Sequence, residues 1–262
     1  TPDKTVSSGL RTVSDFRVKN VDFLPEPGTS QGKNIIKQYL TTKGAVDASY
    51  YDRNSYYKKI DGKATYYCGQ RQTANHEIVI VGWDDSISTA AGKGAWIVRN
   101  SWGSKWGDDG YFYLSYQDKS LCNPTFYEAE SASRGYTSVY QYDGVGVGDA
   151  QFASAQKITA ANRYTARKDE LITAVGTYTG GADSVVTVTI YVSPSGTSPA
   201  SGVKKFSKSF AVPYAGFHVL DLGKAVGVPK GYDFAIAVSS YYKDNGKRRY
   251  LLPAEVADND YY

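Results

Sequence analysis

Between residues 77 and 116 the chain passes three times through dense runs of β-branched and aromatic residues, and this triplet constrains the fold more than any other feature. The runs are Glu77–Trp83 (EIVIVGW), Gly94–Arg99 (GAWIVR) and Gly110–Tyr116 (GYFYLSY), separated by segments rich in Gly, Asp and Ser. Such side chains suit a pleated, half-buried surface, so three neighbouring strands are expected. A second set lies beyond Val139. Val185–Val192 (VVTVTIYV) alternates apolar residues with Thr, the period of a strand with one face on a core. Phe206–Val212, Phe217–Leu222 and Tyr232–Ser239 follow as further strands, and Asn245-Gly246 stands between Tyr241-Tyr242 and Tyr250-Leu251-Leu252. Asn-Gly accepts the two positive φ angles of a type I′ turn, so a two-residue hairpin is expected there. One segment reads as a helix: after Ser30, the residues Ile35, Ile36, Tyr39 and Leu40 share a face, and Gly44 supplies a stop. The expected class is mainly β (α+β).

Composition narrows the classes of function. The 262 residues suit one large domain or two small ones. The change in character near Ser131–Gly135 places the boundary there, giving domains 1–135 and 136–262. Residues 1–30 read as irregular, 45–75 as loops with short strands, and 117–135 as a connection. No apolar run approaches the roughly 20 residues of a membrane-spanning helix, so no membrane span is expected. The formal net charge is +4 and dispersed. The one tight basic cluster, Lys247-Arg248-Arg249, reads as a hairpin flank and not as a nucleic-acid patch. Methionine is absent and the first residue is Thr1, so the chain is not expected to begin at a start codon, and any signal peptide is expected to be gone already. The Tyr- and Gly-rich composition and two cysteines, Cys68 and Cys122, fit an extracellular or cell-surface protein, with one disulfide in an oxidising compartment compatible with the even count.

The chemistry concentrates around one of the two histidines. His76 stands at the entry of the first dense strand, in Ala74-Asn75-His76-Glu77, and Asn100 follows the second, in Arg99-Asn100-Ser101-Trp102-Gly103. If those strands are neighbours the two side chains meet. An amide oxygen accepting from the imidazole then fixes tautomer and ring orientation, leaving the other ring nitrogen for a nucleophile. That is the arrangement of a Cys-His-Asn thiol protease. The stretches NHEIVIVGWDDS and GAWIVRNSWGSKWGDDGYFYLSY resemble the histidine and asparagine segments of papain-family cysteine peptidases, in order and at a family-like spacing. The GAVDAS segment and the helix before it also resemble the family, so the likeness runs over residues 15–127.

The resemblance implies a papain-like β-barrel half-domain, with His76 as general base and Asn100 as its orienter. It implies that Trp102 covers their hydrogen bond, and that Asn75 and Glu77 face substrate, Glu77 favouring a basic P2 side chain. It also implies that Cys68 and Cys122 form a structural disulfide, which on loop entropy would contribute about 4 kcal/mol. No metal or organic cofactor is implied, and Asp84-Asp85 reads as a turn between strands. In papain-like enzymes the nucleophile precedes the histidine by some 130–150 residues, and no nucleophile helix is present in this sequence. The implied partner is therefore a Cys-bearing light chain, a propeptide-derived or an upstream segment, acting on protein or peptide substrates in a proteolytically processed, two-chain enzyme. A fragment of such an enzyme, or a catalytically dead surface, structural or glycan-binding derivative, stays open.

Residues 139–262 resemble the lectin-like domain that follows papain-like domains in some secreted and surface prokaryotic peptidases. An antiparallel β-sandwich or jelly roll is implied, with a cell-wall glycan or another protein open as its ligand. Tyr140, Tyr142 and Tyr164 are candidates for stacking on sugars or for ordinary packing, and His218 reads as structural. Asp143, Asp149, Glu170 and Asp183 carry oxygens, but their spacing matches no calcium loop, so no metal site is assigned.

Overall fold

The computed structural model describes residues 15–132, 135–142 and 151–253. The chain divides into two compact units: Val21–Tyr127, and Thr1–Asn20 together with Glu128–Tyr262. The upper division falls at Tyr127–Glu128, a few residues before the expected boundary.

Strand β1 (Phe16–Phe23) leads into the first unit. Helix α1 (Ser30–Thr42) follows, then β2 (Val46–Tyr50), β3 (Tyr57–Ile60), β4 (Lys63–Tyr66), β5 (His76–Thr89), β6 (Gly92–Arg99), β7 (Tyr111–Ser115) and β8 (Cys122–Ser131). Thr29 caps the helix, its hydroxyl accepting from Gly32 N at 2.9 Å. Ile36 and Tyr39 are buried, while Ile35 and Leu40 on the expected face are half-buried. The strands are ordered β1-β8-β2-β5-β6-β7-β4-β3. β5 pairs antiparallel with both β2 and β6, and β6 with β7, while β4 joins β7 in parallel. Val46, Ala48, Ile78, Ile80, Trp96, Val98, Phe112 and Leu114 alternate into the core of this sheet.

Two of these eight strands were unforeseen. β1 lay in the stretch read as irregular. β8 lay in the supposed connection, because Pro124 and Asn123, at φ 53°, interrupt any alternation. Asp84-Asp85 is not a turn. β5 runs on to Thr89, with a bulge between Asp84 and Ser88, and the chain reverses at Ala90-Ala91. Asp84 Oδ1 holds the bulge by accepting from Ser86 N (2.8 Å) and Ser86 Oγ (2.6 Å).

The second unit contains β9 (Gln151–Ser154), β10 (Ala160–Thr165), β11 (Glu170–Thr179), β12 (Ser184–Val192), β13 (Val203–Val212), β14 (Ala215–Val228), β15 (Asp233–Asp244) and β16 (Lys247–Pro253). One sheet runs β13-β12-β15-β16-β9, with β10 also on β15, and β11 pairs antiparallel with β14. Val186, Val188, Ile190 and Val192 of β12 meet Val175 of β11 and Leu220, Leu222, Val226 and Val228 of β14 in one core. This is an antiparallel sandwich, in which β12 buries every second residue, as its alternation predicts. Asn245 (φ 48°) and Gly246 (φ 76°) close the β15–β16 hairpin, with Asp244 opposite Lys247, the two-residue turn expected of Asn-Gly. β10 and β11, whose polar residues blur the period, were not anticipated.

Candidate active site

The antiparallel pairing of β5 with β6 sets Val79 opposite Arg99, so the start of β5 and the residues just after β6 emerge at one end of the sheet. His76 is the first residue of β5 and pairs with Tyr50, the last of β2. Asn100 immediately follows β6, and its backbone N donates to Gly110 O at 2.9 Å. The two side chains meet: His76 Nε2 lies 2.9 Å from Asn100 Oδ1.

A second bond settles the tautomer. Asn100 Oδ1 also accepts from the backbone N–H of Ser101 at 2.8 Å. A backbone N–H can only donate, so the amide atom it meets is the oxygen, and the proton shared with His76 sits on the ring's Nε2. Nδ1 of the neutral ring is then an open lone pair, with no hydrogen bond among the described residues.

The loop from 101 to 110 builds an aromatic wall around this pair. Trp102 stacks on the His76 ring (4.9 Å between centroids, 17° between planes), and Trp106 meets Trp102 edge-on at 4.8 Å. Trp106 in turn packs on Tyr57 and Phe112, and Tyr50 reaches His76 at 5.8 Å. Gly107 makes the loop feasible: its φ is 59°, and a Cβ there would run into the Tyr111 carbonyl. Trp102 remains 39% exposed, so one side of the wall faces solvent. Asn100 is 5% exposed, and its Nδ2 has no partner among the described residues.

The residues flanking His76 are committed to their own chain. Asn75 Oδ1 accepts from Asp52 N (2.6 Å) and its Nδ2 donates to Asp52 O (3.2 Å), so the amide expected to face substrate is spent on the β2 exit. Glu77 is exposed and accepts from Ser49 Oγ at 2.6 Å. Asp85, likewise, takes Lys37 Nζ (2.6 Å) and the Tyr116 hydroxyl (2.8 Å), which hold its carboxyl below the usual range.

The expected disulfide is absent, and both cysteines are free. Cys68 is buried, with its thiol turned onto Gln70 O at 3.2 Å and its N–H bound by Asp118 Oδ2 at 2.6 Å. Cys122 sits in β8 opposite Ser49 of β2. Burial, and then the carboxylates of Glu26, Glu77 and Asp118, push its thiol up, away from the reactive thiolate. Neither thiol makes a hydrogen bond with His76. Among the described residues no group of three or more His, Cys, Asp and Glu is placed to hold a metal. No helix among them is long and apolar enough to cross a membrane.

In the second unit, His218 is 5% exposed and its Nε2 meets Tyr214 O at 3.1 Å, a structural setting. Tyr140 donates to Glu170 Oε1 at 2.9 Å and packs on Phe234 with Tyr164. Tyr142, stacked on Tyr164, is the exposed member of the three. Asp143 and Asp149 lie outside the described residues.

Residues 12–131 match the family model of papain family cysteine proteases, and residues 139–262 match that of the lectin like domain. The chain joins a papain-family segment to a lectin-like domain. Its similarity to serine-repeat antigen protein 5 of Plasmodium falciparum is 37% identity over 94 residues, 35% of this chain and 9% of that protein. With cysteine proteinase 3 of Entamoeba histolytica it shares 41% over 124 residues, 46% of this chain and 38% of that protein. In fold it is similar to the clostridial cysteine protease Cwp84 after propeptide cleavage, with a TM-score of 0.74 and 24% identity over 98% of this chain and 64% of that one. A structure of the cysteine protease and lectin-like domains of Cwp84, described as a surface layer associated protein of Clostridium difficile, gives 0.73 and 24% over 99% and 57%. The chain thus spans less than two-fifths of these curated relatives and under two thirds of the solved chains. The papain-like plus lectin-like fold accounts for both units, and the peptidase relationship fits the His76–Asn100 pair.

Sequence reasoning missed Trp106, although it lies in the same SWGSKWG run as Trp102, and it missed Tyr50, Asp52 and Tyr57. Their only signal was the crowding of Tyr in SYYDRNSYY.

Proposed function

We propose that the chain carries the His/Asn half of the active site of a papain-like cysteine endopeptidase, working outside the cell or at its surface, with the nucleophilic thiol supplied by a polypeptide segment that this sequence does not contain. The observation that carries the reading is the 2.9 Å His76–Asn100 bond, which leaves Nδ1 open beside the stacked Trp102.

The chemistry follows from that geometry. Nδ1 of neutral His76 takes the proton of an approaching thiol, and the imidazolium stabilises the thiolate while Nε2–H stays on Asn100. The thiolate attacks a peptide carbonyl carbon, and the collapsing tetrahedral intermediate expels the amine, which takes the proton from Nδ1. The neutral ring then removes a proton from water, which attacks the thioester and frees the acid and the thiol. Asn100 holds the ring through each transfer, and Trp102 keeps water from one face of it. The lectin-like domain is read as a ligand-binding appendage, for a cell-wall glycan or a protein at the same surface.

The test is peptide mass spectrometry of the native material after an epoxide thiol trap. The reading expects a cysteine on a segment other than this chain to gain the mass of the trap, and His76→Ala to abolish that gain. Labelling that is absent, or indifferent to His76→Ala, overturns it in favour of a catalytically dead derivative with binding or structural duties.

A further inference from the structure

Beneath His76 lies a polar knot that catalysis as described does not use. Asp52 Oδ1 accepts two phenol hydroxyls, from Tyr50 and from Tyr57, each at 3.0 Å, and the two hydroxyls lie 2.5 Å apart. Tyr50 is fully buried, and burial pushes its phenol, like that of Tyr57, far above the ordinary tyrosine range. Both therefore remain protonated donors. The same residues grip the strand that bears the histidine. Asn75, next to His76, binds the Asp52 backbone through both ends of its amide, and its N–H donates to Tyr50 O at 3.1 Å. Tyr50 also stands opposite His76 in the β2–β5 register, with its ring against the imidazole.

The imidazole is thus held from two sides. Trp102 and Asn100 fix its outer face and one nitrogen, and the Tyr50 ring backs it from within. A tyrosine side chain can swing about its Cα–Cβ bond unless the hydroxyl at its tip is tied. Here the tip is tied by Asp52, whose single oxygen anchors Tyr50 and Tyr57 together. Tyr57 passes the constraint on to Phe112 and to Trp106, and Trp106, itself packed on Phe112, supports Trp102.

We infer that Asp52, acting through the Tyr50 and Tyr57 hydroxyls, is a positioning residue that locks the His76 ring onto Asn100. The inference rests on the proposed role of His76, but its readout does not require an assembled enzyme. The chain has only two histidines, His76 and His218, so ¹⁵N-histidine labelling of the full chain gives two imidazole spin systems. His218, in the other unit, serves as an internal control.

In the unaltered chain the His76 Nε2–H is expected to be slowed in its exchange with water. Asp52→Ala removes the shared carboxylate acceptor, and since only one of the two hydroxyls can then donate to the other, one phenol is left without an acceptor. A net hydrogen bond of ordinary strength corresponds to a roughly fivefold rise in the open population, hence in that exchange rate. Asp52→Asn keeps an oxygen that accepts two bonds and should restore the slow rate, whereas Asp52→Leu, of similar bulk but without an acceptor, should not. Should Asp52→Ala fail to fold, Tyr50→Phe, which keeps the ring and removes only the hydroxyl, decides by the same reading. An exchange rate in the folded variant equal to that of the parent, with the His218 signals unmoved, overturns the inference. So does an Asp52→Asn chain that exchanges as fast as Asp52→Ala. Loss of thiol trapping with the His76 exchange behaviour intact counts against the peptidase reading alone.

Discussion

Asn100→Ala separates stability from function more sharply than any other change at this site. The substitution removes Oδ1 and with it the two hydrogen bonds it accepts, from His76 Nε2 at 2.9 Å and from Ser101 N at 2.8 Å. At about 1 kcal/mol net each, the loss is about 2 kcal/mol. The same substitution removes Nδ2, a buried donor with no partner among the described residues, whose desolvation costs the native state about 1–3 kcal/mol. Ser101 is exposed, so its freed N–H regains water. The two contributions nearly cancel, and Asn100→Ala should alter the stability of its unit by no more than about 1 kcal/mol in either direction. All four tryptophans, Trp83, Trp96, Trp102 and Trp106, lie in the unit Val21–Tyr127, so urea unfolding followed by tryptophan fluorescence reads that unit alone. In the same sample the His76 Nε2–H should lose its protection, since its acceptor is gone. A midpoint shift equivalent to about 3 kcal/mol or more, in the range of a disrupted buried network, would refute the balance and make Asn100 a structural keystone.

Two further outcomes are expected. Unfolded without reductant, the chain should titrate two free thiols, and in the native state both should react slowly, Cys68 because it is buried and Cys122 because its thiol is pushed up; recovery of a Cys68–Cys122 bridged peptide would reinstate the disulfide. Asp118 is buried, and burial raises its carboxyl above 3.8 despite donors from Cys68, Ser120 and Leu121. Between 3.8 and its native value the folded chain therefore holds more protons than the unfolded one, so this group's contribution is fully present at low pH and is lost as pH rises. Asp118→Asn should remove that falling component from a plot of unfolding free energy against pH, and an unchanged slope would sink the argument.

What the sequence disclosed, and what it withheld, follows from the range of the forces involved. β6, β7 and β12 were legible because burying one face imposes a local period, and the Asn-Gly hairpin because positive φ at two successive residues selects those residue types. The meeting of His76 and Asn100 was legible for a related reason: a hairpin of dense strands brings the start of one beside the end of the next. β1 and β8 stayed hidden because their pairing is non-local, and the sheet tolerates Pro124 and the turned Asn123 where no local rule would place a strand. The Asp84-Asp85 misreading has the same origin, since acidic pairs punctuate turns and bulges alike, and only the partner strand distinguishes them.

The cysteines failed differently. Their pairing was implied by resemblance, whereas the Cys68 thiol turns onto Gln70 O of its own loop, even though its backbone is bound by Asp118 and Lys119, close in sequence to Cys122. The knot of Tyr50, Asp52 and Tyr57 lay in plain view but without a period, because a hydrogen-bonded cluster needs only convergence. Its residues come from β2, its exit and β3, and meet only once the sheet has formed. A chain can therefore advertise the two groups that perform proton transfer through a motif, while the groups that hold them still are written in contacts that no spacing encodes. That asymmetry explains why a preserved His–Asn motif is weak evidence for a working site, and why the exchange rate at one imidazole nitrogen is a stricter test than the motif itself.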